Sequence, residues 1–544
     1  MSKVRFKSYQ QNQLLLLPPS LEELIPKDHA VRVVNKVIEG LDITVLEKRY
    51  EGGGTSSYHP RLLLKVLVYG YLNNTYSSRR IEDAISSNIH YMWLAAMQRP
   101  DHNTINRFRG QRLKGILKPI FGQIVELLVE AGLISLKKGY VDGTKIEADA
   151  NKYTFVWAKS IANNKEKIVK QLEELWAYAE SVAEKEATTT ESEHLNSLGL
   201  SAQTIDSDQV KAAIEQINER LNKIESNTDL KDKLAEDEAV KKKHKKVKAK
   251  LRYADKNWSD KLKEYKEKEE ILDGRGSYSK TDPDATFMRM KEDPMKNGQL
   301  KPGDNLQMTT ENQCILNYDL FPNPNDTLTL IPHLESFEAL YNQTFEELTA
   351  DSGYGSQENY TFLEVKGIEA YVKYSYFHKE LKQDAQKGRG KTLKKPFEKH
   401  HLYYNEQENF FVCPMGQRME KQYDTHRTTT SGFKQKYGVY EAKNCDGCPL
   451  RGLCHKAKDN RKIYFNHELN RYKVKAKEKL TSEKGKEHRS QRPADVEATF
   501  GNIKWNKKFR RFLLRGNEKT TVEIGLISIA HNLAKLAKYG QKVA

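Results

Sequence analysis

The stretch Leu348–Val372, LTADSGYGSQENYTFLEVKGIEAYV, constrains the fold more than any other part of the chain. A short apolar run ends in an acid, Asp351, and a glycine-rich turn follows. SQENYTFLEVKG then reads as a helix capped by Ser356 and closed by Gly367, and IEAYVKY reads as a second strand. Two parallel strands need a crossover of this kind between them. Open parallel sheets bind ligands outside the carboxyl ends of their strands, which is where Asp351 falls. Alone, an aspartate before Ser-Gly is more often a turn former. The question is whether other acids share its end of the sheet.

Two do by pattern. In GLISLKKGYVDGTKIEADANKY, Gly132 ends a helix and KGYVD reads as a strand closing on Asp142. Asp142 before Gly143 also has a turn reading, with Glu147 or Asp149 as the alternative ligand. Glu497 lies on a helix expected to begin after Pro493, where a lone glutamate would simply suit the helix dipole. Taken together, two sheet-borne aspartates and a helix-borne glutamate suit phosphoryl transfer on DNA. That chemistry needs carboxylates holding two divalent ions about 3.5–4 Å apart. Hard oxygen ligands point to Mg²⁺ or Mn²⁺. Lys504, seven residues after Glu497 and on the same helix face, is placed to hold a phosphate. KKFRRFLLRG adds Lys507, Lys508, Arg510, Arg511 and Arg515, interleaved with Phe509 and Phe512.

At 544 residues the chain has room for roughly three or four domains. Its net charge of +17 points to a polyanionic partner, most simply nucleic acid. No apolar run approaches the ~20 residues of a membrane helix, and LLLL before two prolines is too short for a signal peptide. A cytosolic protein without membrane partners is expected. No G-x4-G-K-[ST] loop is present, which argues against a nucleotide-driven enzyme.

Residues 1–132 read as helical, with PRLLLKVLVYGYL filling one broad apolar face. SRRIEDAISSNIHYMWLAAM and HNTINRFRGQRLKGILKPIFGQIVELLVEAG, joined by QRPD, fit a helix-turn-helix. Asn103 or Thr104 would cap the second helix, displaying Asn106, Arg107 and Arg109 to DNA; the alternative is a plain bundle with surface arginines. Between 160 and 285 the chain is charged, and Ile168, Leu172, Leu175, Ala179 and Val182, then Ile214, Ile217, Leu221 and Ile224, keep the spacing of paired helices. An antiparallel helical hairpin is expected, carrying the single-signed run KKKHKKVKAKLR, Lys241–Arg252, as a DNA contact.

Four of the five cysteines fall between Cys413 and Cys454. Cys445 and Cys448 form C-x2-C, Cys454 follows, and Cys413 supplies a fourth sulfur, a set that suits structural Zn²⁺. Four reduced thiols or an iron–sulfur cluster are the alternatives, and His455 is a substitute ligand. Cys314 reads as core, and Trp157 and Trp505 as core packing, the alternative for both being an aromatic that holds a flipped base.

GYVDGTKIEADANKY, LTADSGYGS and ADVEATFGNIKWNKKFRRFLLRG resemble the three catalytic blocks of bacterial insertion-sequence transposases of the DDE class. YHPRLLLKVLVYGYL and DHNTINRFR resemble their N-terminal helical region. The resemblance implies an α/β protein with an RNase H-like mixed-sheet core and the triad Asp142, Asp351 and Glu497. It divides the chain into a helical DNA-binding domain (1–132), a first part of the core (133–159), a helical insertion (160–285), a second part of the core (286–395), a Cys-containing subdomain (396–465), and the catalytic-Glu helix with C-terminal helices (466–544). It implies metal-dependent cleavage and strand transfer at terminal inverted repeats of double-stranded DNA, by a homodimer acting on the bacterial nucleoid. A binding protein without catalysis and a nuclease that does not join ends are the rivals. One signature departs. The related Tyr–Arg–Glu–Lys pattern has Ser490 and Pro493 at its first two positions here, with Arg489 and Arg492 nearby out of register; Lys504 keeps its place, and Arg492 is a second expected contact to DNA phosphate.

Overall fold

The computed structural model describes residues 20–50, 57–183, 201–226, 238–290, 298–387 and 397–543. The run LLLL before the two prolines, the boundary at 395 and the side chains of Val182 and Ile224 lie outside the described residues. The chain forms two compact units, Met1–Ile146 with Asn305–Ala544, and Glu147–Asp304.

In the first unit, the apolar run becomes the helix Pro60–Leu72, started by a proline in its first turn and capped by His59. Leu62 through Tyr71 are all buried, so the helix is enclosed on all sides rather than on one face. It packs against the helices Ala30–Gly40 and Asn517–Val543. The region expected to form a helix-turn-helix holds the helices Ser78–Ser87, Ile89–Leu94 and His102–Arg107. The cap of the last is Asp101, whose Oδ1 accepts from the Thr104 N–H at 2.8 Å, not Asn103 or Thr104. Arg109 falls in a π-helical turn, Phe108–Arg112, and is buried.

The sheet of this unit is mixed. Its strands are β1 (Lys138–Glu147), β5 (Leu300–Glu311), β6 (Cys314–Phe321), β7 (Glu347–Ala350) and β8 (Glu369–Val372). They run in the order β6-β5-β1-β7-β8, with β5 and β6 antiparallel and β1, β7 and β8 parallel. The helix Gln357–Val365 makes the expected crossover from β7 to β8, and Ser356 caps it through the Asn359 N–H at 3.1 Å. Cys314 is buried in β6, as expected of a core residue.

In the second unit, β2 (Phe155–Trp157) pairs with β3 (Ser277–Ser279), and β4 (Thr286–Arg289) pairs with the first residues of β5. The helical segment is a three-helix core, not a hairpin: Ala158–Ala183, Ser207–Ser226 and Glu238–Leu272 share one apolar cluster. The third helix contributes Leu251, Ala254, Trp258 and Leu262, whose helical spacing is hidden in a charged run. The Cys-containing region is a five-stranded antiparallel sheet of β9 (Tyr404–Asn405), β10 (Phe410–Val412), β11 (Arg418–Thr428), β12 (Lys434–Ala442) and β13 (Lys462–Phe465).

One buried pair ties the N-terminal helices to the C-terminal one. Glu523, wholly buried, accepts from the Leu513 and Leu514 N–H groups at 2.9 Å each and from the Tyr71 hydroxyl at 3.2 Å. Its cation is Arg109, 3.9 Å away and only 3% exposed. Burial pushes the Glu523 carboxyl above its ordinary range, and Arg109 opposes that. Breaking a buried pair by removing one partner strands the other charge, at a cost of about 3–5 kcal/mol. Arg109→Leu should therefore lower the thermal midpoint by several degrees in calorimetry, whereas Arg107→Leu, on the exposed face, should leave it unchanged.

Candidate active site

Strand register brings the two aspartates together. Val141 of β1 and Ala350 of β7 are direct partners in a parallel pair. The next residue on each strand is Asp142 and Asp351, so both acids stand at adjacent strand ends. Asp142 is buried, and its Oδ1 accepts from the Gly143 N–H at 2.9 Å. Asp351 is more open, at 44% side-chain exposure, where the strand passes into the short turn Ser352–Tyr354.

Glu497 arrives from a helix that begins earlier than expected. Glu483–Arg492 is α-helical and continues through Pro493 into a π-helical turn, Pro493–Glu497, then Ala498–Gly501 and a second π turn, Asn502–Asn506. Pro493 therefore sits inside the helix rather than at its start. The π turn closes i→i+5 and takes up one extra residue. It explains the departure in the signature pattern: Arg492, five residues before Glu497, still faces it.

Arg492 is the centre of the site. Its guanidinium is 6% exposed and touches all three acids: Nη1 to Asp142 Oδ2 at 3.2 Å, Nη2 to Asp351 Oδ2 at 3.8 Å, and Nη2 to Glu497 Oε1 at 2.9 Å. Only the Glu497 contact is an aligned hydrogen bond, and Nε and Nη1 are buried without a hydrogen-bond partner. Lys373, which the sequence pattern did not single out, lies 3.4 Å from Asp351 Oδ1. Burial works to raise the Asp351 carboxyl, but the Ser352 N–H, Arg492 and Lys373 outweigh it and hold it below its ordinary range. Among the described residues, no group of three or more His, Cys, Asp or Glu is arranged to hold a metal ion; the three acids are spaced around the guanidinium instead.

The expected DNA contacts divide. Arg107, Arg510 and Arg511 are exposed. Arg109 is committed to Glu523, and Lys504 is 3% exposed and donates to the Lys145 carbonyl of β1 at 2.9 Å. As placed, Lys504 braces the strand that carries Asp142. Trp505 is not core: it is 56% exposed, with the Arg510 guanidinium 3.8 Å over its ring. In the second unit, Trp157 is partly buried against Phe155 and Phe287, and Glu147 pairs with Lys301 at 3.0 Å.

Cys413, Cys445, Cys448 and Cys454 border one small cavity together with His455 and Arg461, and all are free thiols. Three of the sulfurs serve as hydrogen-bond acceptors: Cys454 Sγ takes Arg461 Nη1 at 2.7 Å, Cys413 Sγ the Gln417 N–H at 3.3 Å, and Cys445 Sγ the Arg461 N–H at 3.4 Å. The four cysteines gather as their spacing suggests, but among the described residues no group of three or more His, Cys, Asp or Glu is arranged to hold a metal ion, so a zinc site is not supported.

The depressed Asp351 carboxyl stabilises the fold above about pH 4, the ordinary carboxylate range, and that contribution is lost as pH falls through its lower folded value. In Arg492→Gln the depression should weaken. Carboxyl-carbon NMR titration should then show Asp351 protonating at higher pH than in the wild type.

Two family models match the chain. Residues 412–537 match the one described as Transposase DDE domain, which contains Arg492, Glu497 and Lys504. Residues 19–111 match Transposase domain (DUF772), which contains Arg107 and Arg109. Asp142 and Asp351 lie between the two matches. No curated protein and no solved structure matches. A transposase domain at each end of the chain indicates an insertion-sequence transposase of the DDE class.

Proposed function

We propose that this chain cleaves the ends of its own element and joins them to target DNA, using divalent metal held by Asp142, Asp351 and Glu497. The observation that carries the reading is the convergence of these three carboxylates, from two adjacent parallel strand ends and a neighbouring helix, on one cation. The strand order β6-β5-β1-β7-β8, with an antiparallel pair on one side of β1 and parallel strands on the other, supports an RNase H-like core.

The donor set fits the metal by chemistry. Hard carboxylate oxygens suit Mg²⁺ or Mn²⁺, and like charges this close need a cation between them. Bound there, such an ion would activate the attacking hydroxyl and offset charge on the scissile phosphate. The chain's own groups do the rest. Arg492 keeps the acids gathered from the buried side, while Asp351 and Glu497, about half exposed, face the solvent from which DNA arrives. Lys504 fixes β1 beneath Asp142. Exposed Lys508, Arg510, Arg511 and Arg515 offer cations to the phosphate backbone beside the triad. In the second unit the Lys241–Arg252 run is largely exposed on a long helix and offers a further backbone contact. The N-terminal helices would read the terminal repeats, and a homodimer would hold two ends.

The test is cleavage and joining on DNA carrying the element's ends, with Mg²⁺ and a target plasmid. Asp351→Asn and Glu497→Gln should fold as the wild type by circular dichroism and give background levels of both products. Strand transfer that survives Asp351→Ala overturns the reading, and cleavage without joining by the wild type makes the protein a nuclease. A second expectation concerns affinity. Neutralising Lys241, Lys242, Lys245 and Lys246 should weaken DNA binding equally on all sequences. It should also flatten the salt dependence by about 0.9 log unit for each phosphate no longer neutralised, measured by fluorescence anisotropy across a salt series.

A further inference from the structure

β5 poses a question of its own. Asn305 and Gln307 are 1% and 0% exposed in the middle of a sheet, where buried amides need partners. Both turn to one carboxylate. Asp326 Oδ1 accepts from Asn305 Nδ2 at 2.8 Å and from Gln307 Nε2 at 3.0 Å. Gln307 Oε1 in turn accepts from the hydroxyl of Tyr354, three residues beyond Asp351. Asp326 opens the short turn Asp326–Leu328, and the neighbouring Thr327 hydroxyl donates to the Gly353 carbonyl at 3.0 Å.

Two glycines show how close this carboxylate stands to both aspartates. A Cβ added at Gly143, the residue after Asp142, would lie 2.6 Å from Asp326 Oδ1 and closer still to Gln307 Nε2. A Cβ added at Gly353, two residues after Asp351, would lie 3.3 Å from Asp326 Oδ2. The carboxylate is therefore lodged between the backbones of the two aspartate-bearing turns. It explains why glycine follows Asp142 and why glycine stands at 353; Gly355 answers to a different neighbour, the Lys373 carbonyl, which an added Cβ would meet.

We propose that Asp326 is a positioning residue for the metal site: with Asn305, Gln307 and Tyr354 it sets the spacing of the Asp142 and Asp351 turns, and its fixed negative charge strengthens divalent-cation binding there. The proposal rests on the reading of Asp142, Asp351 and Glu497 as metal ligands. Residues that orient metal ligands from behind typically change metal affinity by about 10- to 100-fold when altered.

The experiment is calorimetric titration of the full-length protein with Mn²⁺, without DNA, beside thermal unfolding of each variant. Asp142→Asn should lose the binding isotherm. Asp326→Asn, nearly the same shape, should unfold close to the wild type and bind Mn²⁺ about tenfold more weakly. If Asp142→Asn abolishes binding and a folded Asp326→Asn binds as the wild type, the proposal is overturned and the metal site stands. If Asp142→Asn binds as the wild type, the metal-site reading itself fails. Should Asp326→Asn not fold, Gly143→Ala carries the test. It keeps every charge, and its added Cβ meets Gln307 and Asp326 first, so unchanged Mn²⁺ affinity in that folded variant overturns the proposal.

Discussion

Three carboxylates at one end of a sheet repel one another, and the site exists because a single buried guanidinium lies among them. Arg492 contacts Asp142, Asp351 and Glu497 within 2.9–3.8 Å while remaining 6% exposed. Each acid comes from a different element, so this one cation also pins the helix Glu483–Arg492 and its π turn to the ends of β1 and β7. The π turn is what makes the geometry possible. Pro493 would disrupt an ordinary helix interior, and the i→i+5 closure admits it while turning both Arg492 and Glu497 toward the sheet. A guanidinium with one hydrogen bond, to Glu497, and two nitrogens left without any is held mainly by charge.

A second layer lies behind the first. Lys504 grips the backbone of β1 at Lys145, and Asp326 is lodged between the turns that follow Asp142 and Asp351. The acids are thus positioned by contacts to backbone more than by contacts to each other. That arrangement suits the proposed role, in which the acids would take a metal and a DNA strand without moving the sheet.

The parts legible in the sequence are those with short-range signals. The strand-turn-helix-strand run at 348–372 marks a parallel pair, and acids closing KGYVD and LTAD mark its carboxyl end. The paired-helix spacing marks two of the three helices in the second unit. What is not legible depends on residues distant in the chain. Arg492 looks out of register because a π turn leaves no sequence signature of its own. Arg109 reads as a surface cation beside Arg107, and only its pairing with Glu523, over four hundred residues on, shows that it is buried. Asp326 sits in a proline- and asparagine-rich loop that looks like any turn; its partners are two amides on β5. The five-stranded sheet around the cysteines is hidden because its longest strand, β11, is almost wholly exposed and polar, without the alternation that marks a half-buried strand.

If the three acids are metal ligands, the place held by Arg492 is the place a divalent ion takes. Diffraction from crystals soaked in Mn²⁺, with data at the manganese absorption edge, locates the ion directly. The account predicts an anomalous peak bounded by Asp142, Asp351 and Glu497, with the Arg492 guanidinium displaced from at least one carboxylate. A peak elsewhere, with Arg492 still bridging all three acids, would contradict it.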